Sequence, residues 1–143
     1  MKISIFGLGY VGAVTMACLA RRGHSVIGVD VNPAKVDLLA RGESPIIEPG
    51  LDLLLRDALA QGRLTATTDP RRALADSDLS IICVGTPSRP NGDLNLDHVA
   101  EATGQIAGAL QALGKSHVLV FRSTMLPGST EGLVRGPLAA LES

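Results

Sequence analysis

Tryptophan is missing from this 143-residue chain, and one tyrosine and two phenylalanines are its only aromatics. A core must then be built from Leu, Val, Ile and Ala, which suits parallel strands buried on both faces. Cysteine occurs twice, at Cys18 and Cys83. So distant a pair makes neither a disulfide framework nor a metal signature. The three histidines, His24, His98 and His117, stand without ligand spacing. Like charges form no block and the net charge is −1, which gives no footing for nucleic acid or an anionic membrane surface. No apolar run approaches the roughly eighteen residues of a spanning helix. Gly and Tyr interrupt the start before a signal-peptide layout can form. A cytoplasmic protein with one domain over residues 1–143 is the simplest expectation. The sequence also lacks a Ser-His-Asp set, a carboxylate pair and a metal constellation.

Glycine is plentiful, and its placement is informative. Gly7, Gly9 and Gly12 follow the apolar run Ile3–Phe6 and lead into a helix-like stretch through Arg22. This is the G-x-G-x-x-G spacing of a dinucleotide-binding turn. In such a turn the first glycine permits the tight bend, the second lets a pyrophosphate approach the backbone, and the third lets helix and strand pack closely. A second apolar run ends in Asp30, placed to accept the hydroxyls of an adenosine ribose. The same carboxylate would repel a ribose phosphate, and no Arg follows at Val31 or Asn32. The expected cofactor is therefore NAD rather than NADP.

Aliphatic runs alternate with amphipathic ones along the rest of the chain. Strands are expected at Ile3–Phe6, Val26–Val29, Leu64–Thr67, Leu79–Val84 and Val118–Phe121. Helices are expected near Val11–Arg22, Pro33–Arg41, Leu51–Gln61, Pro70–Ala75 and Leu96–Leu113, with a last one opening at Gly128–Ser129 and running to the terminus. This pattern predicts an α/β fold, a Rossmann-type doubly wound parallel sheet. The full fold has six strands in the order 3-2-1-4-5-6. Five are visible here, so the sheet is expected to lack its sixth strand, the domain to be truncated, and the fifth strand to be an open edge. The piece should then be monomeric or self-associate through that edge.

Two further segments end strands at the crevice where strand order reverses, the place ligands occupy in such sheets. Val84-Gly85-Thr86-Pro87 either offers the Thr86 hydroxyl to a ribose or phosphate, or is a plain Gly-Pro turn. Arg122-Ser123-Thr124 either turns Thr124 toward the same crevice or merely caps a turn. Lys35 either reaches the adenosine side or is a solvated helix lysine, the latter being the default. Cys18 and Cys83 are expected to be small buried hydrophobes. His24 reads as structural, and His98 and His117 as surface or turn residues. The loop Pro45-Ile46-Ile47-Glu48-Pro49 brackets an exposed-looking apolar pair with two prolines and suggests no chemistry by itself.

In order along nearly the whole chain, GLGYVG at 7–12, GVDVNPAKV at 28–36, SPIIEPGL at 44–51, GRLTATTD at 62–69, CVGTPS at 83–88 and RSTMLPGS at 122–129 resemble the UDP-glucose and GDP-mannose 6-dehydrogenase family. Within it, SPIIEPGL, GTPSRPNGDLNL and RSTMLPG look most like the GDP-mannose enzymes of alginate-producing bacteria, which serve polysaccharide biosynthesis. The resemblance implies that Tyr10 and Val11 present backbone to the pyrophosphate of NAD, and that Asp30 and Lys35 hold the adenosine ribose. Thr86 and Thr124 would contact the cofactor toward its nicotinamide end, and Thr124 would also lie near the reacting carbon in a positioning role. The family oxidises the sugar C6 alcohol to a carboxylate with two NAD, through a cysteine-bound thioester. Its nucleophilic Cys lies well beyond residue 143, and neither Cys18 nor Cys83 matches it. The chain alone is therefore expected to bind NAD and turn nothing over, its parent being a homo-oligomer acting on a nucleotide sugar, GDP-mannose by preference. A UDP-glucose 6-dehydrogenase domain and a free-standing NAD-binding module are the alternatives. Hydroxy-acid dehydrogenases lack the EPGL and VGTP pair, and methyltransferases do not need three glycines at this spacing.

Overall fold

A computed structural model describes residues 1–139. Five strands, β1 (Lys2–Phe6), β2 (Ser25–Val29), β3 (Leu64–Thr67), β4 (Leu79–Ile82) and β5 (Val118–Phe121), form one sheet in the order β3-β2-β1-β4-β5. Every pairing is parallel. The helices are α1 (Tyr10–Arg21), α2 (Pro33–Ala40), α3 (Leu51–Ala60), α4 (Pro70–Ala75), α5 (Asp97–Leu113) and α6 (Ser129–Ala139). The doubly wound α/β architecture and all expected elements are present. Continuation of the last helix to Ser143 falls outside the described residues.

Aliphatic side chains fill both faces of the sheet. On one, α1 and α3 bury Met16, Leu51 and Leu55 against Ile3, Ile5 and Val26. On the other, α4 and α5 bury Leu74, Ile106 and Leu110 against Phe6, Val29 and Ile82. Small residues let helices sit close. A Cβ on Gly28 would come 2.9 Å from the Met16 sulfur. Cover is uneven, however. β1 is buried from Ile3 to Phe6, whereas at the edge strand β5 Val118 and Val120 are 56% and 39% exposed.

β4 stops at Ile82, two residues before the expected Val84. Its neighbour β1 ends at Phe6, so Cys83 N–H makes the final bond, to Phe6 O at 2.7 Å, and nothing remains to pair with Val84. In the 41–50 loop only half of the exposed-looking pair is exposed. Ile46 packs on the core while Ile47 stands 89% exposed. Asp52 accepts from Ser44 N–H at 2.7 Å, and the Ser44 hydroxyl donates to Ile46 O at 2.6 Å.

A seam of polar groups crosses the middle of the sheet. Ser4 and Ser80 are register partners in the β1–β4 pair, and their hydroxyls lie 2.5 Å apart with both side chains buried. Ser77 joins from the same side, 3.0 Å from the Ser4 hydroxyl. His117 completes the row, its Nε2 2.7 Å from the Ser80 hydroxyl. The expectation of a surface or turn residue fails here. His117 is half-buried, and its Nδ1 is enclosed without a hydrogen-bond partner. Burial, and next the Lys115 ammonium, hold its pKa below the ordinary histidine value against a weaker pull from Asp78.

Cys18 is a second correction. It lies on α1 but is exposed, because helical spacing turns it away from the face that buries Ala13, Met16, Ala17 and Ala20. Among the described residues no group of His, Cys, Asp or Glu is placed to hold a metal, and no helix is long and apolar enough to cross a membrane.

Candidate functional site

The three glycines after β1 stand where they do for different reasons. Gly7 has φ 93°, a left-handed conformation, and a Cβ there would meet Val84 N at 2.8 Å. A Cβ on Gly12 would lie 1.8 Å from Gly7 O, so α1 can leave the turn only if this residue is bare. Gly9 differs. Its φ is −81°, which any residue adopts, and no atom beyond its immediate chain neighbours lies within 4 Å of its missing Cβ. The fold does not require glycine at this position; the open space beside it is available to a ligand.

That space adjoins the start of α1. Gly9 is the N-cap and has no side chain to cap the helix, and the first turn carries no acidic residue. The leading N–H groups and the positive end of the helix dipole are thus left for an external anion. The residues present fit a pyrophosphate.

Asp30 leaves the end of β2 with its carboxylate fixed from three directions. Leu8 N–H donates to Oδ2 at 2.8 Å, Asn32 N–H donates to Oδ1 at 2.9 Å, and Lys35 Nζ lies 3.6 Å from Oδ2. Asn32 in turn caps α2, accepting from Ala34 N–H at 3.0 Å with Pro33 at the first helical position. This cap sets Lys35 in the first turn of α2, facing Asp30. Lys35 is therefore an ion-paired residue and not the freely solvated lysine that its position suggests by default. Each carboxylate oxygen keeps acceptor capacity, so two ribose hydroxyls can still be received.

Across the sheet, the exits of β4 and β5 are tied together. Ser123 Oγ donates to Val84 O at 2.7 Å, and Arg122 N–H donates to Ile82 O at 2.9 Å. Arg122 also reaches across to α1, where Nη1 donates to the Thr15 hydroxyl. Ser123 is thus a strap between strands. Thr86 and Thr124 are brought to the same crevice, the first half-buried and the second exposed.

Gly7, Gly9, Tyr10, Val11, Asp30, Lys35, Thr86 and Thr124 all line a single cleft of about 560 Å³. Gly12, the remaining residue of the expected set, is buried beneath it. Sequence reading missed Arg122, Glu101 and His98, which also line the cleft. For His98 and Glu101 a signal existed, since they stand three residues apart on the face of α5 beside its apolar stripe. Cys83 lies at the cleft floor, buried as expected, and burial pushes its thiol pKa up although Arg122 pulls it partly back. A protonated thiol is a poor nucleophile.

An uncapped helix after a glycine turn, an acid at the end of the second strand and a cleft over the strand-order reversal define a dinucleotide-binding domain of the Rossmann type. The chain belongs to the UDP-glucose/GDP-mannose dehydrogenase family, whose NAD-binding domain matches residues 1–142. It is 53% identical to the GDP-mannose 6-dehydrogenase of Pseudomonas aeruginosa over 94% of its own length and 31% of that protein's. Among solved structures it is similar to a ternary complex of GDP-mannose dehydrogenase from the same species, with TM-score 0.95 at 51% identity, covering 98% of this chain and 32% of that one. A UDP-glucose dehydrogenase from Pyrobaculum islandicum gives TM-score 0.92 at 42% identity, covering 97% and 32%. The chain thus spans about a third of the length of the relatives it matches.

Proposed function

We propose that residues 1–143 hold NAD in this cleft and supply the cofactor half of a nucleotide-sugar 6-dehydrogenase acting on GDP-mannose. The observation that carries the reading is Gly9, a glycine that no neighbouring protein atom demands, at the head of a helix with no cap. Tyr10 and Val11 present backbone N–H groups to the pyrophosphate. Asp30, steadied by Lys35, takes the adenosine ribose and rejects a 2′-phosphate by charge. Thr86 and Thr124 contact the nicotinamide half, with Thr124 positioning rather than reacting. When bound, NAD supplies the hydride acceptor; the protein's part is to bind and orient it.

The preference for GDP-mannose over UDP-glucose rests on the higher identity to the former group, 53% against 43% for a UDP-glucose 6-dehydrogenase of Rhizobium meliloti. Neither cysteine suits thioester chemistry, Cys83 being protonated and buried and Cys18 lying on the outer flank of α1. The chain by itself therefore binds NAD without turning over GDP-mannose. Calorimetric titration with NAD and NADP tests this directly. Binding of NAD but not NADP, lost in Gly9→Val with the melting temperature unchanged, is the expected result. Absence of NAD binding in the unaltered chain would refute the reading. NADH formation from GDP-mannose by this chain alone would refute its inactive part.

A further inference from the structure

Charge is settled on one side of the cleft and unsettled on the other. On the Asp30 side the lining cation, Lys35, is paired with the carboxylate 3.6 Å away. On the β4–β5 side the lining cation is Arg122, and among the described residues no carboxylate lies within ion-pair distance of it. Its guanidinium is instead held by a neutral group, the Thr15 hydroxyl in the second turn of α1. The start of that helix already carries partial positive charge with no acid in its first turn. Glu101 and His98 line the cleft from α5, which packs on the opposite face of the sheet from α1. Among the described residues Arg122 is thus a positive charge without a carboxylate partner, close enough to the Cys83 thiol at the cleft floor to offset part of the upward push of burial on its pKa.

We infer that Arg122 makes this site favour the reduced cofactor over the oxidised one. The inference rests on the NAD reading above. With the adenosine ribose on Asp30 and the pyrophosphate at Gly9–Val11, the rest of the dinucleotide lies over the exits of β4 and β5, on the side of Arg122. The nicotinamide ring is a cation when oxidised and neutral once it has accepted a hydride. A fixed cation beside it raises the energy of the oxidised form alone, whereas its attraction for the pyrophosphate is common to both. Lys35 cannot act in this way, being paired and on the adenosine side. The site thereby assists hydride acceptance and holds the product cofactor longer.

The ratio of dissociation constants for NAD and NADH isolates this effect, because losses of packing or of pyrophosphate contact move both together. The 143-residue chain is titrated with NADH by its fluorescence and with NAD by calorimetry, at one ionic strength. In R122Q the ratio of NAD to NADH dissociation constants is expected to fall roughly three- to tenfold, the size of one charge acting across a solvated cleft. R122K keeps the ratio, and T15V, which frees the guanidinium without discharging it, lowers it less. Raising salt from about 0.05 M to about 0.5 M lowers the ratio in the unaltered chain, a measurement that stands even if R122Q fails to fold. A ratio unchanged in R122Q, or unmoved by salt, would overturn the inference and leave Arg122 a pyrophosphate contact at most. An unaltered chain that binds neither ligand is a separate result, which removes the NAD reading itself.

Discussion

The β1–β2 half of the sheet and the β4–β5 half are built from the same kinds of residue and finished to different degrees. β1 carries four consecutive buried residues, covered on both faces, and Leu8 after it finds a partner in Asp30 at the end of β2. β5 alternates exposed and half-buried positions, and its cleft residues Thr124 and Arg122 are exposed. The Asp30 side of the cleft is therefore organised by the protein's own contacts. The Thr124 side takes its shape from a few ties, Ser123 to Val84 and Arg122 to Thr15.

Substitutions that treat the two halves differently test this contrast. The largest effect is expected at Gly12, where the Cβ of Gly12→Ala would stand 1.8 Å from Gly7 O. That chain should fail to fold cooperatively, as read by thermal denaturation, while Gly9→Ala melts like the parent and loses NAD affinity. Next comes paired truncation across the sheet. Ile5→Ala, in the fully buried centre of β1, should cost about 2–5 kcal/mol. Val118→Ala on the exposed edge should stay within about 0.5 kcal/mol by denaturant titration. Equal losses would mean that β5 is covered in solution.

Asp30→Ala strands the Leu8 and Asn32 N–H groups and should cost about 1–3 kcal/mol, besides weakening NAD roughly ten- to hundredfold. Adenosine competition would show the loss lying on that side of the cleft. The smallest effect is pH dependence from His117. Its folded pKa lies below the ordinary value of 6.5, so the unfolded chain binds the extra proton first as pH falls. Its contribution is full above that value and declines as pH drops through it toward the folded pKa. Melts followed from about pH 8 to pH 5 should show this slope and its reduction in His117→Asn. A slope unchanged by the substitution would assign it to other groups.

The finished half was the more legible. Gly7, Gly12, Asp30 and the aliphatic strands announce themselves because their constraints act over short stretches of chain: a tight turn, a strand end, a buried run. Even β5 was found, since four consecutive aliphatic and aromatic residues read as a strand wherever they lie. What escaped reading lies in contacts between distant residues. Arg122 meets Thr15 across 107 positions, and His117 meets Ser80 across 37. Neither partner carries a local pattern that names the other. Cys18 failed for a related reason. α1 is apolar nearly all round, so composition does not show that Ala13, Met16, Ala17 and Ala20 make the buried face and leave Cys18 outside it.

The buried Ser4–Ser80 pair bears on how the chain finds its topology. β1 and β4 are adjacent in space but separated by 76 positions, the interval in which β2 and β3 are made. Pairing at such separation comes late and slowly, since the intervening loop must be closed first. Two aliphatic strands meeting at that stage could slide, for one greasy residue resembles another. A single-step slip here would put the two serines on opposite faces of the sheet and leave each hydroxyl without the other. The serines thus work as a key that turns in only one lock, withholding stability from the misaligned sheet until the switch-point strands, between which the cleft opens, have met in register.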